Sequence, residues 1–139
     1  MERINTYEKW LEQEAIPVLK GYSVPDLMAA ELKPWKRKGG LGAYVNLVGA
    51  EGAIDVYICE IPPGKQLLPQ RHLYEETIYI LSGHGATTVW VEGGKKQTFE
   101  WHEGSLFAPP LNVWHQHFNE QGDKPVRYVA ATRAPIFMN

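Results

Sequence analysis

A chain of 139 residues is long enough to bury one core and too short for several, and its 14 Lys and Arg against 16 Asp and Glu leave none of the basic surplus that nucleic-acid binding draws on. No apolar run reaches the roughly eighteen residues of a membrane span, none near Met1 resembles a secretion signal, and the lone Cys59 excludes an internal disulfide framework. The expectation is one cytoplasmic domain with neither a nucleic-acid nor a membrane partner, in which Cys59 is a buried core thiol.

Residues 5–14 set Trp10 and Leu11 among Glu8, Lys9, Glu12 and Glu14, and Asn5 or Thr6 is a suitable N-cap, so a short amphipathic helix is predicted there and Pro17 closes it. The segment 1–27 is expected to pack on the main body, which begins near residue 28. Lys33, Lys36, Arg37 and Lys38 surround Trp35 just ahead of Gly39 and Gly40; as a charge run beside turn residues they read as a solvated loop rather than an anion site. From there the pattern changes to short runs rich in Val, Ile, Thr, Tyr and Trp, broken by Gly and Pro. Strands are predicted at 41–48, 54–61, 76–81, 86–91, 96–101, 105–108, 113–118 and 126–132. Pro62-Pro63-Gly64, Ser82-Gly83, Glu92-Gly93-Gly94, His102-Glu103-Gly104 and Gln121-Gly122-Asp123 supply the turns between them. Short strands in succession with no helices between them mean an all-β sandwich or barrel. Trp90, Trp101, Trp114, Tyr57, Tyr79 and Tyr128 fall in these strands, where aromatics serve the core or an interface.

One set of residues carries chemistry. Gln70, His72, Glu76 and His115 offer amide, imidazole and carboxylate groups suited to Fe, Mn, Ni or Zn, and two His with one carboxylate and open positions suits non-haem Fe(II) in particular. Alternate residues of a strand share a face, so Gln70 projects with His72 and His115 with His117. Gln70 is the weakest ligand of the set, since a neutral amide binds transition metals less well than imidazole; hydrogen bonding to a metal-bound water or substrate is its other role. His117 is a further ligand, a group that meets substrate, or a hydrogen-bonded interior histidine. His84 and His102 lie in turns and read as surface residues. Arg71 and Arg127 have the fork geometry for a carboxylate, but Arg71 alternates with the ligands and should face away.

The spacing from Gly64 through Gln70, His72 and Glu76 to Gly83 resembles the first motif of the cupin superfamily, and that from Gly104 through Pro110, Asn112 and His115 to Asn119 resembles the second. Every interval is kept. Gln70 stands where the motif has its first His, and Asn112 where it has a Gly, a mild change because Asn also tolerates left-handed backbone. The resemblance implies a cupin jelly-roll barrel over 28–139 with a short helical segment before it, and a divalent metal held by His72, Glu76 and His115. Pro109-Pro110 followed by Trp114, His115, Gln116 and His117 is similar to gentisate- and salicylate-type ring-cleaving dioxygenases, which have two such domains. It implies an Fe(II) dioxygenase for a small oxygenated or aromatic substrate, with His117 and Gln70 as catalytic candidates. A metal-dependent isomerase or lyase, in which Glu76, His117 or a tyrosine moves a proton, is the alternative enzyme, and a small-molecule-binding module is the non-catalytic one. A metal-free barrel would have to bury Glu76 with another positive partner. Exposed strand edges make a homodimer the expected assembly.

Overall fold

Local capping sets the first element. In α1 (Thr6–Glu14) the Asn5 side chain accepts from the Glu8 N–H at 2.8 Å while the Glu8 carboxylate accepts from the Asn5 N–H, a reciprocal capping box. The helix ends on Ala15 at φ 56°, two residues before Pro17, and turns Tyr7, Trp10 and Leu11 onto the barrel. The computed structural model describes residues 5–139; residues 1–4, the start of the segment expected over 1–27, lie outside the described residues.

Two strands precede those expected. β1 (Val18–Gly21) pairs in parallel with β3 (Gly40–Leu47), and β2 (Lys33–Trp35) pairs antiparallel with the start of the same strand. Both are too short, and too interrupted by Pro and charged residues, to show an alternating pattern. The N-terminal segment therefore contributes a strand to the sheet as well as a helix upon it. The eight expected strands are β3, β4 (Asp55–Ile61), β5 (Glu76–Ser82), β6 (His84–Trp90), β7 (Gln97–His102), β8 (Leu106–Phe107), β9 (Trp114–Asn119) and β10 (Val126–Thr132). A short helix, α2 (Ala134–Met138), closes the chain.

The strands form two sheets, one of seven strands ordered β1-β3-β4-β10-β5-β8 with β2 beside β3, and one of three ordered β7-β6-β9. All pairs but β1–β3 are antiparallel. The two-residue period decides what faces inward: Val126, Tyr128, Ala130 and Thr132 are buried on β10, Glu76, Ile78 and Ile80 on β5, and His115, His117 and Asn119 on β9. Where the sheets meet, the rings of His117 and Tyr128 lie 5.6 Å apart.

Aromatic edges hold the wall of the larger sheet. Trp35 meets Tyr44 at 5.3 Å and Tyr57 at 5.2 Å, and Tyr57 meets Tyr128 at 5.9 Å, all T-shaped contacts worth about 0.5–1.5 kcal/mol each beyond their buried area. Gly42 makes room for them, because a Cβ there would run into the Trp35 ring. Cys59 is fully buried in this wall. Among the described residues no helix is long and apolar enough to cross a membrane.

Candidate metal centre

Backbone pairing, rather than nearness in sequence, assembles the site. The segment before β5 runs antiparallel to β9: Leu67 N–H donates to the His117 carbonyl, and Gln70 and His115 exchange both backbone hydrogen bonds at 2.9 Å. Asn112 extends the seam by donating its N–H to the His72 carbonyl at 2.9 Å, and does so at φ 56°. Asparagine thus adopts the left-handed backbone that the motif's glycine would supply. The seam carries His72 to His115, and the inward face of β5 carries Glu76 to both.

His72 Nε2 lies 2.9 Å from Glu76 Oε2 and His115 Nε2 lies 4.0 Å from the same oxygen. One donor atom from each of the three residues falls within 4.8 Å of the others, the span one ion can bridge. Side-chain exposure is 12% for His72 and 1% for Glu76 and His115. Each imidazole is oriented from behind. His72 Nδ1 is 2.9 Å from the Tyr74 carbonyl and its ring stacks on Tyr74; His115 Nδ1 is 3.4 Å from the Val113 carbonyl. A carbonyl only accepts, so both Nδ1 atoms carry the proton and both Nε2 lone pairs turn towards Glu76. A lone pair facing a carboxylate oxygen at 2.9 Å requires a cation between them or a proton on the ring. His115 Nε2 has no hydrogen-bond partner although it is buried. The donor set fits a divalent transition metal.

Electrostatics prepare the same groups. Burial pushes the Glu76 carboxyl upward, but the Lys38 ammonium, the His72 ring and the Tyr57 hydroxyl together hold it well below the usual carboxylate range. Burial drives His115 down to about 4 against the opposing pull of Glu76, so it is neutral at neutral pH. Tyr57 donates its O–H to Glu76 Oε1, and Lys38 Nζ donates to the Tyr57 oxygen at 3.0 Å.

His117 lies beyond the three donors, its ring 5.3 Å from that of His115. Its Nδ1 is 2.7 Å from Thr87 Oγ1, a hydroxyl oxygen that accepts from Trp101 Nε1 at 2.8 Å, while its Nε2 is buried without a partner. Burial and the neighbouring His115 hold its pKa far below the ordinary value. Gln70 is turned aside: its Oε1 accepts from Arg37 Nη1 at 2.6 Å and its Nε2 donates to the Arg37 carbonyl at 3.0 Å. Arg71 faces outward over the Trp114 ring, and His84 and His102 are exposed. Arg127 binds Glu60 and the carbonyls of Leu27, Met28 and Ala30, tying the N-terminal segment to β10.

The basic cluster differs from the expected solvated loop. Lys33 and Lys36 are exposed, but Arg37 is half-buried, bonded to Glu14 and Gln70, and Lys38 is 3% exposed. The β2–β3 turn folds the second half of the run inward, beside a carboxylate that compensates its charge. Sequence reasoning placed Tyr57 and Tyr128 among the core or interface aromatics without assigning them to the site, and it missed Lys38 and Thr87; the inward parity of β4 and β10 was the available signal for the two tyrosines.

Comparison with known proteins agrees with this architecture. A family model described as "Cupin domain" matches residues 57–132. No curated protein sequence matches the chain significantly. Among solved structures, the Cnp3 cupin domain of Schizosaccharomyces pombe superposes with TM-score 0.63 at 17% identity, over 78% of this chain and 71% of that one. An oxalate decarboxylase of Lactobacillus farciminis, solved as a formate complex, gives 0.64 at 22% identity, over 82% of this chain and 35% of its own. An oxalate decarboxylase of Bacillus subtilis gives 0.63 at 22%, over 80% and 31%. The chain thus spans about a third of each decarboxylase, and at these identities the likeness is one of fold.

Proposed function

The chain belongs to the cupin family, and from that premise we propose that it is a mononuclear non-haem metal oxidoreductase of the dioxygenase kind, acting on a small oxygenated or aromatic substrate, with Fe(II) ahead of Mn, Ni or Zn. The observation that carries the proposal is the set of one carboxylate and two carbonyl-oriented imidazoles converging within 4.8 Å, since three protein ligands leave positions open for substrate and O2. When bound, such a metal supplies a Lewis-acidic template and, as iron, electrons for oxygen chemistry.

The chain's own residues do the rest. The backbone seam between residues 66–72 and β9 holds the ligands in register. His117 Nε2, buried and unpaired, faces the same interior as His115 and is placed to hold or move a substrate proton. Phe107 and Tyr128 flank His117 and keep water from it, their rings 6.0 and 5.6 Å away. Gln70 is engaged at both ends of its amide by Arg37.

Anaerobic loading with Fe(II), elemental analysis and oxygen-uptake assays test the proposal. The substrate panel contains dihydroxybenzoates, hydroxybenzoates, catechols and, because of the decarboxylase fold likeness, small carboxylic acids. One metal per chain is expected, with oxygen consumed by the iron form and not by the zinc form. Product formed without O2 and supported by zinc transfers the assignment to an isomerase or lyase. Substoichiometric metal under every loading condition leaves a binding module.

A further inference from the structure

Buried donors without partners cluster beside the proposed metal position. Lys38 has three N–H groups and one hydrogen-bond partner, the Tyr57 hydroxyl, against whose ring its Nζ also lies, 4.5 Å from the centroid. Tyr128 O–H and Trp35 Nε1–H are buried with no partner. His117 Nε2 is also unpaired. These groups are contiguous: His115 to His117 is 5.3 Å between ring centroids, His117 to Tyr128 5.6 Å, Tyr128 to Tyr57 5.9 Å and Tyr57 to Trp35 5.2 Å. A buried polar group left without a partner costs about 1–3 kcal/mol, so this concentration of donors calls for an acceptor. Asp55 Oδ1, next to Tyr57 in the inward row of β4, is a buried acceptor that also lacks a partner.

Charge points the same way. A divalent ion on Glu76, with the Lys38 ammonium behind it, leaves the interior with a positive surplus. Arg37 is already balanced by Glu14. An uncompensated buried surplus is costly, and an anionic oxygen ligand removes it while satisfying the donors.

We propose that this interior binds a small carboxylate, held between the metal position and the ammonium of Lys38, with Tyr128 as a second hydrogen-bond donor. The inference rests on the metal site proposed above and narrows its substrate to carboxylate-bearing molecules. Lys38 is then a binding residue, and its neighbours Tyr57 and Glu76 position it.

The test is calorimetric titration of zinc-loaded protein with acetate, its neutral isostere acetamide, and inorganic phosphate. Acetate is expected to bind one per zinc, with acetamide at least about tenfold weaker, as loss of a charge-assisted contact implies. Lys38→Met should weaken acetate by about tenfold or more at unchanged zinc stoichiometry, and Tyr128→Phe by a few-fold. Equal affinity for acetate and acetamide overturns the proposal, as does a folded Lys38→Met protein that binds acetate like the parent. Phosphate binding in preference to acetate overturns the carboxylate assignment. Should Lys38→Met fail to fold, the acetate–acetamide contrast in the parent and in Tyr128→Phe decides. Full zinc occupancy without anion discrimination defeats this inference alone, whereas failure to hold zinc defeats the metal centre as well.

Discussion

The two sheets bring opposite chemistry to one interior. The seven-stranded sheet and its β2–β3 turn supply the charges, Glu76 and Lys38, bridged by the Tyr57 hydroxyl. The three-stranded sheet supplies neutral groups: His115 and His117, both held uncharged by burial, and the Thr87–Trp101 pair behind His117. A cation between the sheets meets a carboxylate on one side and lone pairs on the other. The charged side must be compensated whether or not metal is present, while the neutral side waits at little electrostatic cost.

Glu76→Ala attacks the charged side and should have the largest effect. It removes a ligand and leaves the buried Lys38 ammonium without its counter-charge, so a stability loss of about 3–5 kcal/mol is expected together with loss of metal. His115→Ala should lose metal as completely but destabilise the metal-free protein less, because no charge is stranded. Urea unfolding of the metal-free proteins checks the contrast; equal losses would erase the division between the sheets.

Within the neutral side, His115 and His117 share a strand and a face yet differ in partner. His115→Ala should weaken zinc binding by about a hundredfold or more, and His117→Ala by no more than a few-fold. Thr87→Val, which strands Trp101 Nε1–H and His117 Nδ1, should cost about 1–3 kcal/mol and spare zinc. Zinc calorimetry and denaturation separate the cases, and a hundredfold loss in His117→Ala would make it a fourth ligand.

The contrast between sheets also explains what could be read from the sequence. His115 and Glu76 were legible because strand parity and motif spacing fix which way they face, and Asn112 because its left-handed backbone follows from standing in a glycine position. β1 and β2 were not, being three or four residues long with their pairing decided by β3. Lys38 was hidden for a different reason. Local composition says that a Lys-Arg-Lys run is solvated, and only the arrival of Glu76 and Tyr57 from elsewhere in the chain makes its burial tolerable. Gln70 likewise kept its motif position, but its amide found Arg37, whose inward turn the sequence did not announce.

The two sides also titrate in opposite directions. Asp55, 1% exposed on the charged side, has its carboxyl pushed up by burial to about 7 from an ordinary 3.8. The native state therefore binds the extra proton between those values, and stability falls as pH rises through that window. His115, on the neutral side, moves from 6.5 down to about 4, so there the unfolded state binds the extra proton and stability rises with pH. His117, held below 6.5 by the same burial, adds a second rising slope, so the metal-free protein should gain stability as pH rises from about 4 to 6.5, with Asp55 offsetting one of the two rises. Asp55→Asn removes the falling slope. The variant should gain stability on the parent as pH rises from about 5 to 8, by about 2 kcal/mol in all, and its own curve should climb more steeply than the parent's. Urea midpoints of metal-free protein at closely spaced pH values measure both. A parent–variant difference independent of pH would mean that Asp55 is already ionised at pH 5, and that the charged side holds one more anion than its burial allows.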